Sequence, residues 1–501
     1  MESAIGFLLG RWARRLVPLS GGLLLLVNLS TFAGEFLNVQ PVRSDRIANY
    51  TMDVKLDVDK HLIEGSEVLT WINKTAHPTQ ELRFHLYYNA WLNDRSSFLR
   101  TSTRRRLNLR DYREGDWAYC RVEQMELLGQ DSLAAADLTS AITFIQPDDG
   151  NPDDRTVIRV PLPAPVQPGD TIRVKIRWES KVPRTFARTG VRGDYYFIAQ
   201  WFPKIGVLQP DGTWNCHQFI QTEFFADYGV YDVRLTVPTG WIVGASGQEM
   251  NVIDNGDGTS THRYLATDVH DFAWTTSPHY RVFTEKFSEP NLPEVTIRLL
   301  LMPDHLDKKA RYFQATRQAL KYYGSWFGPY PYPQVTVVDP AYRSGAGGME
   351  YPTLFTGGTR WLSPPETRSP ESVTIHECGH QFWYGLVGNN EFEDAWLDEG
   401  FNTYSQSRVM DTLGLTRIYY QRYFHGFLPV VFPDIVRRFR YDSGDSFDGL
   451  RSPLKRDPMA RPAYEGHPLA YRINAYSKPT LILRTLENYL GWETMQKVMS
   501  T

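Results

Sequence analysis

His376-Glu377-Cys378-Gly379-His380, followed after an 18-residue gap by Glu399, is the stretch whose reading decides the fold. Two imidazoles four residues apart stack on one face of a helix and can grip one ion. Ser369 is the expected N-cap of that helix and Pro370 its first position, with Glu371 and Glu377 suited to the N-terminal half. A second helix is expected from about Ala395, with Asp394 as cap, to a stop at Gly414. Glu399 would then sit in its first turns and point back at the imidazoles. Gly379 costs about 1 kcal/mol relative to Ala in a helix, so a small residue there is expected to let another backbone pack closely.

Two His nitrogens and one acid oxygen suit Zn²⁺, one ion per chain, with the fourth position left for water. Glu377 adjoins a ligand but cannot share its direction, which makes it the natural general base toward a zinc-activated water. Cys378 points off the ligand face and reads as a packed thiol.

Three ordered segments resemble one family. His376-Glu-Cys-Gly-His-Gln-Phe-Trp-Tyr-Gly through Trp396-Leu-Asp-Glu-Gly-Phe is similar to the HExxH-x18-E core of the M1 aminopeptidases, gluzincin zinc peptidases. Gly347-Gly348-Met349-Glu350-Tyr351 resembles the GxMEN exopeptidase motif. Ala475-Tyr476-Ser477-Lys478 resembles the family's Tyr-x-Lys-Gly segment. The resemblance implies that Glu350, with Gly348 and Met349 beside it, binds the free α-amine of a peptide, and that Tyr476 stabilises the oxyanion, with Tyr471 as the substitute. It also sets Gln200 against a β-domain Gln that helps hold the amine. Two positions depart from the pattern: Tyr351 stands where the family has Asn, and Pro479 where it has Gly.

The chain outside the motifs is read as follows. At 501 residues it can hold two or three domains, and 42% hydrophobic with 22% charged residues is ordinary for a folded protein. A net charge of −3 gives no support for nucleic-acid binding, and Arg104-Arg105-Arg106 reads as a solvated loop. Arg11, Arg14 and Arg15, the apolar run from Leu16 to about Val27, and Ala33-Gly34 read as an export signal over residues 1–33. Cleaved or kept as an anchor, it places the protein outside the cytoplasm, with membrane contact only through that segment. Cys120, Cys216 and Cys378 form no disulfide framework, and only the first two could pair. Asn73-Lys74-Thr75 is a glycosylation sequon.

From about Asn49 to Val282 the pattern is β, with Asn49 to Val58, Ile63 to Trp71, Val157 to Val160, Thr171 to Trp178 and Val230 to Val237 as strands. After Phe283 it changes: Asp304 to Trp326 reads as a helix carrying Ala310, Phe313, Leu320 and Tyr323, then Gln334 to Val338 as a strand. Pro479 to Leu490 reads as an amphipathic helix, and Gly491-Trp492 starts another. The expected architecture is an N-terminal all-β domain (34–282) and an α+β catalytic domain (283–501). Resemblance makes the first saddle-like and the second thermolysin-like, C-terminally incomplete, with the strand near Met349 beside the bound peptide.

The leading expectation is an aminopeptidase acting on peptides with a free N-terminus. The alternatives are an endopeptidase or dipeptidase of the same group, or a catalytically silent peptide-binding scaffold. Oligomeric state is not encoded in any pattern seen.

Overall fold

The computed structural model describes residues 41–102, 112–129, 134–185, 188–220, 222–415, 417–424, 426–437, 457–466 and 469–500. The export signal and the arginine run at 104–106 lie outside them.

Alternating burial builds the first layer. β1 (Ala48–Asp57), β2 (Leu62–Ile72), β3 (Tyr119–Leu128), β4 (Ala136–Asp137), β5 (Thr171–Lys181), β6 (Gly229–Pro238), β7 (Gln248–Asp254) and β8 (Thr259–Val269) form one sheet in the order β7-β8-β6-β1-β2-β5-β3-β4. All neighbours are antiparallel except β1 and β6, which run parallel. In β5 the buried residues Ile172, Val174, Ile176 and Trp178 alternate with outward positions, as one half-buried face demands. Every strand expected in this half forms; the first runs Ala48–Asp57 and so stops one residue short of Val58, and the Val157–Val160 segment runs on to Val166.

A second sheet starts at β9 (Arg281–Phe287) and continues through β10 (Val295–Leu301), β11 (Gln334–Val338), β12 (Gly348–Tyr351) and β13 (Leu354–Gly357), in the order β9-β10-β11-β13-β12. α1 (Lys309–Phe327), α2 (Ser369–Gly379), α3 (Glu391–Thr412), α4 (Lys478–Leu490) and α5 (Trp492–Met499) follow the chain around it. Buried Phe313, Leu320 and Tyr323 of α1 join Ile297, Leu299, Val335, Val337, Phe355, Ile375 and Cys378 in one core. Met349, Tyr351 and Leu354 pack instead into the core of the β-rich half, so β12 lies where the two cores meet.

Several boundaries differ from expectation. The segment expected as one helix from Asp304 opens as a 3₁₀ turn over Pro303–Lys308, because the His305 ring turns aside to Asp339 at 2.8 Å and leaves helical φ/ψ. Ala310 is exposed. Ser369 is the first residue of α2, and the cap position is Arg368 in the left-handed region at φ 50°. α3 starts four residues early, where the Asn390 side chain accepts from Glu393 N, and Asp394 marks a break at φ −111°, ψ 51° with its carboxylate on Trp396 Nε1. All three cysteines are buried and free. Asn73 is fully buried, its amide donating to His77 O and Val166 O, so the folded chain does not present this sequon. Among the described residues no helix is long and apolar enough to cross a membrane.

Glu67 of β2 is fully buried and neither carboxylate oxygen has a hydrogen-bond partner. Burial pushes its carboxyl well above the usual range. The folded pKa therefore exceeds the unfolded one, and the stability it contributes is complete below about pH 4.3 and lost as pH rises toward the folded value. Glu67→Gln removes that dependence. Thermal melts from pH 5 to pH 8 should show the variant gaining on the parent as pH rises, by up to about 1.4 kcal/mol per unit. A constant difference across the range would contradict this.

Candidate active site

The site begins with two helices held face to face. On α3, Glu399, Asn402 and Gln406 recur at spacings of three and four and so share one face. Asn402 Nδ2 donates to His376 O at 2.8 Å. A Cβ on Gly379 would overlap Asn402 Oδ1 and come 3.0 Å from Tyr323 OH. The close neighbour that Gly379 admits is thus a side chain, where sequence led us to expect a backbone.

That packing brings the three expected ligands together. His376 Nε2 lies 3.2 Å from Glu399 Oε2, His380 Nε2 lies 3.3 Å from the same oxygen, and the two Nε2 atoms are 3.3 Å apart. Donors about 2.0–2.1 Å from a tetrahedral zinc stand about 3.3–3.4 Å from one another, so this triangle fits the ion. Each imidazole is held from behind. His380 Nδ1 meets Asp398 Oδ1 at 2.5 Å, and His376 Nδ1 meets Gln406 Oε1 at 3.2 Å. Gln406 Nε2 donates to Ser372 O and Oγ, which leaves its oxygen to accept from His376 Nδ1 and turns the His376 Nε2 lone pair toward the metal position, as Asp398 does for His380. Sequence reasoning did not single out Asp398 and Gln406 as the partners that hold the two imidazoles.

The second carboxylate system is set by the period-2 alternation of β12. Met349 and Tyr351 face the β-rich core, which turns Gly348 and Glu350 to the opposite side, against α2. A Cβ on Gly348 would overlap Glu377 Oε1. Glu377 and Glu350 are both buried, and burial pushes both carboxyls above the usual range. Burial also raises Glu399, but the His380 and His376 imidazoles outweigh it and hold that carboxyl well below the usual range. Gln381, just past α2, accepts from Thr353 N at 2.7 Å and donates to Tyr351 O at 3.0 Å, tying the ligand helix to the β12–β13 turn.

Tyr476 lies in a π-helical turn over Ile473–Ser477, a bulge of the kind found at functional sites. Its hydroxyl donates to Glu399 Oε1, and its ring lies 6.1 Å from that of His376. Gly400 of α3 takes Pro479 against it, where a Cβ would overlap the proline ring, so the departure at Pro479 is absorbed in packing.

Gln200 is buried, its amide donating to Asp271 at 2.6 Å while its Oε1 has no hydrogen-bond partner. The β-domain residue that reaches Glu350 is Glu223. One carboxylate oxygen each of Glu223, Glu350 and Glu391 lies within 4.8 Å of the other two. Arg188 pairs with Glu223 at 2.7 and 2.8 Å, and Tyr471, the substitute for Tyr476, donates to it at 2.9 Å. No motif singled out Glu223 because the segment carrying it reads as an ordinary loop between strands.

Residues 311–501 match the Peptidase family M1 domain. Tricorn protease-interacting factor F2 of Thermoplasma acidophilum is 25% identical over 231 residues, 44% of this chain and 26% of that protein. Human endoplasmic reticulum aminopeptidase 2 is 28% identical over 215 residues, 40% and 20% of the two chains. The chain therefore spans about a quarter or less of the curated relatives it matches. The M1 zinc metallopeptidase of Deinococcus radiodurans superposes with a TM-score of 0.58 at 17% identity, covering 92% of this chain and 87% of that one. The fold is shared with that zinc metallopeptidase. Residues 311–501 carry a peptidase family M1 domain.

Two substitutions test how the site is held. Gly348→Ala should displace Glu377 and lower kcat at least about tenfold while metal content, read by elemental analysis, stays at the parent's level. Gln406→Leu should free the His376 ring and weaken metal affinity about 10- to 100-fold in chelator competition. Parental affinity in that variant would remove Gln406 from the support of the site.

Proposed function

We propose that the chain is a zinc metalloaminopeptidase that hydrolyses the N-terminal peptide bond of peptides. The observation that carries this reading is Glu350, a buried acid with Oε1 unpartnered, on a strand that also presents Gly348 to Glu377. A buried carboxylate of this kind calls for a cation, and a peptide's terminal ammonium supplies one. β12 is an edge strand of its sheet, so an extended peptide can add alongside it with its amino end toward Glu350. A mutant of the Deinococcus radiodurans peptidase is described as bound to a Tyr-Ser-Ala substrate, and that substrate class is carried here as part of the proposal.

His376, His380 and Glu399 would hold the zinc, which when bound supplies a Lewis acid for the carbonyl and acidifies its water. Glu377, raised by burial, takes the proton of the attacking water and returns it to the leaving amine. Tyr476 directs its hydroxyl at the ligand carboxylate, within reach of an oxyanion forming next to it. Glu350 and Glu223 fix the amino end, so only the first peptide bond meets Glu377. The pattern of residues 1–33 supports export of the chain.

A peptide and its N-acetylated form, assayed side by side, test the exopeptidase reading: the free amine should be cleaved at least about 100-fold faster. Equal rates would instead favour an endopeptidase. Glu377→Gln should keep the metal and cut turnover by at least about 100-fold. Tyr476→Phe should lower kcat more than it raises KM, since its bond strengthens in the transition state; a change confined to KM would assign it to binding.

A further inference from the structure

The acid group at the amino end holds one carboxylate more than Glu350 and Glu223. Glu391 opens α3 and is 1% exposed; Glu350 is 6% exposed. Oε1 of each has no hydrogen-bond partner. Glu223 is ion-paired with Arg188 and accepts from Tyr471. Buried acid oxygens left unpaired are costly, so Glu350 and Glu391 together point to a ligand with several donors. A primary ammonium presents three N–H bonds in a tetrahedral array, and at N···O distances of about 2.85 Å its acceptors stand about 4.7 Å apart. Oxygens of Glu223, Glu350 and Glu391 lie within 4.8 Å of one another, so three carboxylates on three separate elements can accept all three bonds.

On this geometry we propose that Glu391 is a specificity-determining residue, the third leg of a tripod that accepts every N–H of an unsubstituted α-ammonium. Peptides whose terminus is a secondary amine, N-methylated or proline, leave one buried acceptor unpaired and are rejected. The inference rests on the aminopeptidase reading and narrows its substrate class to primary amines. Glu391 also adjoins Asp398, behind His380, so its variants are read at matched metal content.

The test compares kcat/KM for an N-terminal alanyl peptide and the same peptide with N-methylalanine, on the metal-loaded chain. The parent should prefer the primary amine about 10- to 100-fold, the worth of one hydrogen bond to a buried charged acceptor. Glu391→Met should bring the ratio within about threefold, while Glu391→Gln, which keeps an acceptor oxygen, should preserve it. A parent that needs a free amine yet accepts both peptides equally overturns the tripod and leaves the aminopeptidase reading standing, whether or not the Met variant folds. An unchanged ratio in Glu391→Met also overturns it, as does a second metal equivalent lost in Glu391→Gln. Equal cleavage of the N-acetylated peptide by the parent is the separate result that removes the aminopeptidase reading itself.

Discussion

The contact between α2 and α3 is the constraint on which the rest of the site depends. Gly379 has no side chain, so Asn402 can close on the first helix and bond His376 O. That approach puts Glu399 at 3.2 and 3.3 Å from the two imidazoles and lines Gln406 up behind His376. The helices also draw acid into the interior. Glu350, Glu377, Glu391, Asp398 and Glu399 are all buried. So much carboxylate in a low dielectric is tolerable only where cations arrive to meet it. Arg188 supplies one to Glu223; the metal and the substrate's amino end are the others that the proposed chemistry brings.

The β-rich half takes part directly. Its core extends into β12 through Met349 and Tyr351, so the alternation that buries those two aims Gly348 and Glu350 at α2. Glu223 and Arg188 enter from the same half. Tyr351, which departs from the family's Asn, serves as a core residue packed 5.5 Å from Phe197, and its carbonyl binds Gln381. The departure at Tyr351 thus packs into the joint between the halves and leaves the acid at Glu350 in position.

Much of the fold was legible in the residues because it rests on local periodicities. Alternation announced the strands from Asn49 to Val237, and the i, i+4 histidines announced the metal helix. What sequence misjudged at the first long helix was a side chain that chose a distant partner over its own helix: His305 turned to Asp339. The α3 start moved to Asn390 because a better cap lay four residues upstream of the break at Asp394.

By itself the sequence determined the chemistry available: two imidazoles, a ligand acid, a base, and an acid after a glycine turn, each at a spacing that secondary structure converts into direction. Only the tertiary structure decided which groups surround them. Asp398, Gln406, Glu223, Arg188 and Glu391 have no signature, since their roles come from elements far apart in the chain meeting in a space that excludes water. Periodicity sets where a side chain points along its own element, whereas what it meets there depends on packing between elements.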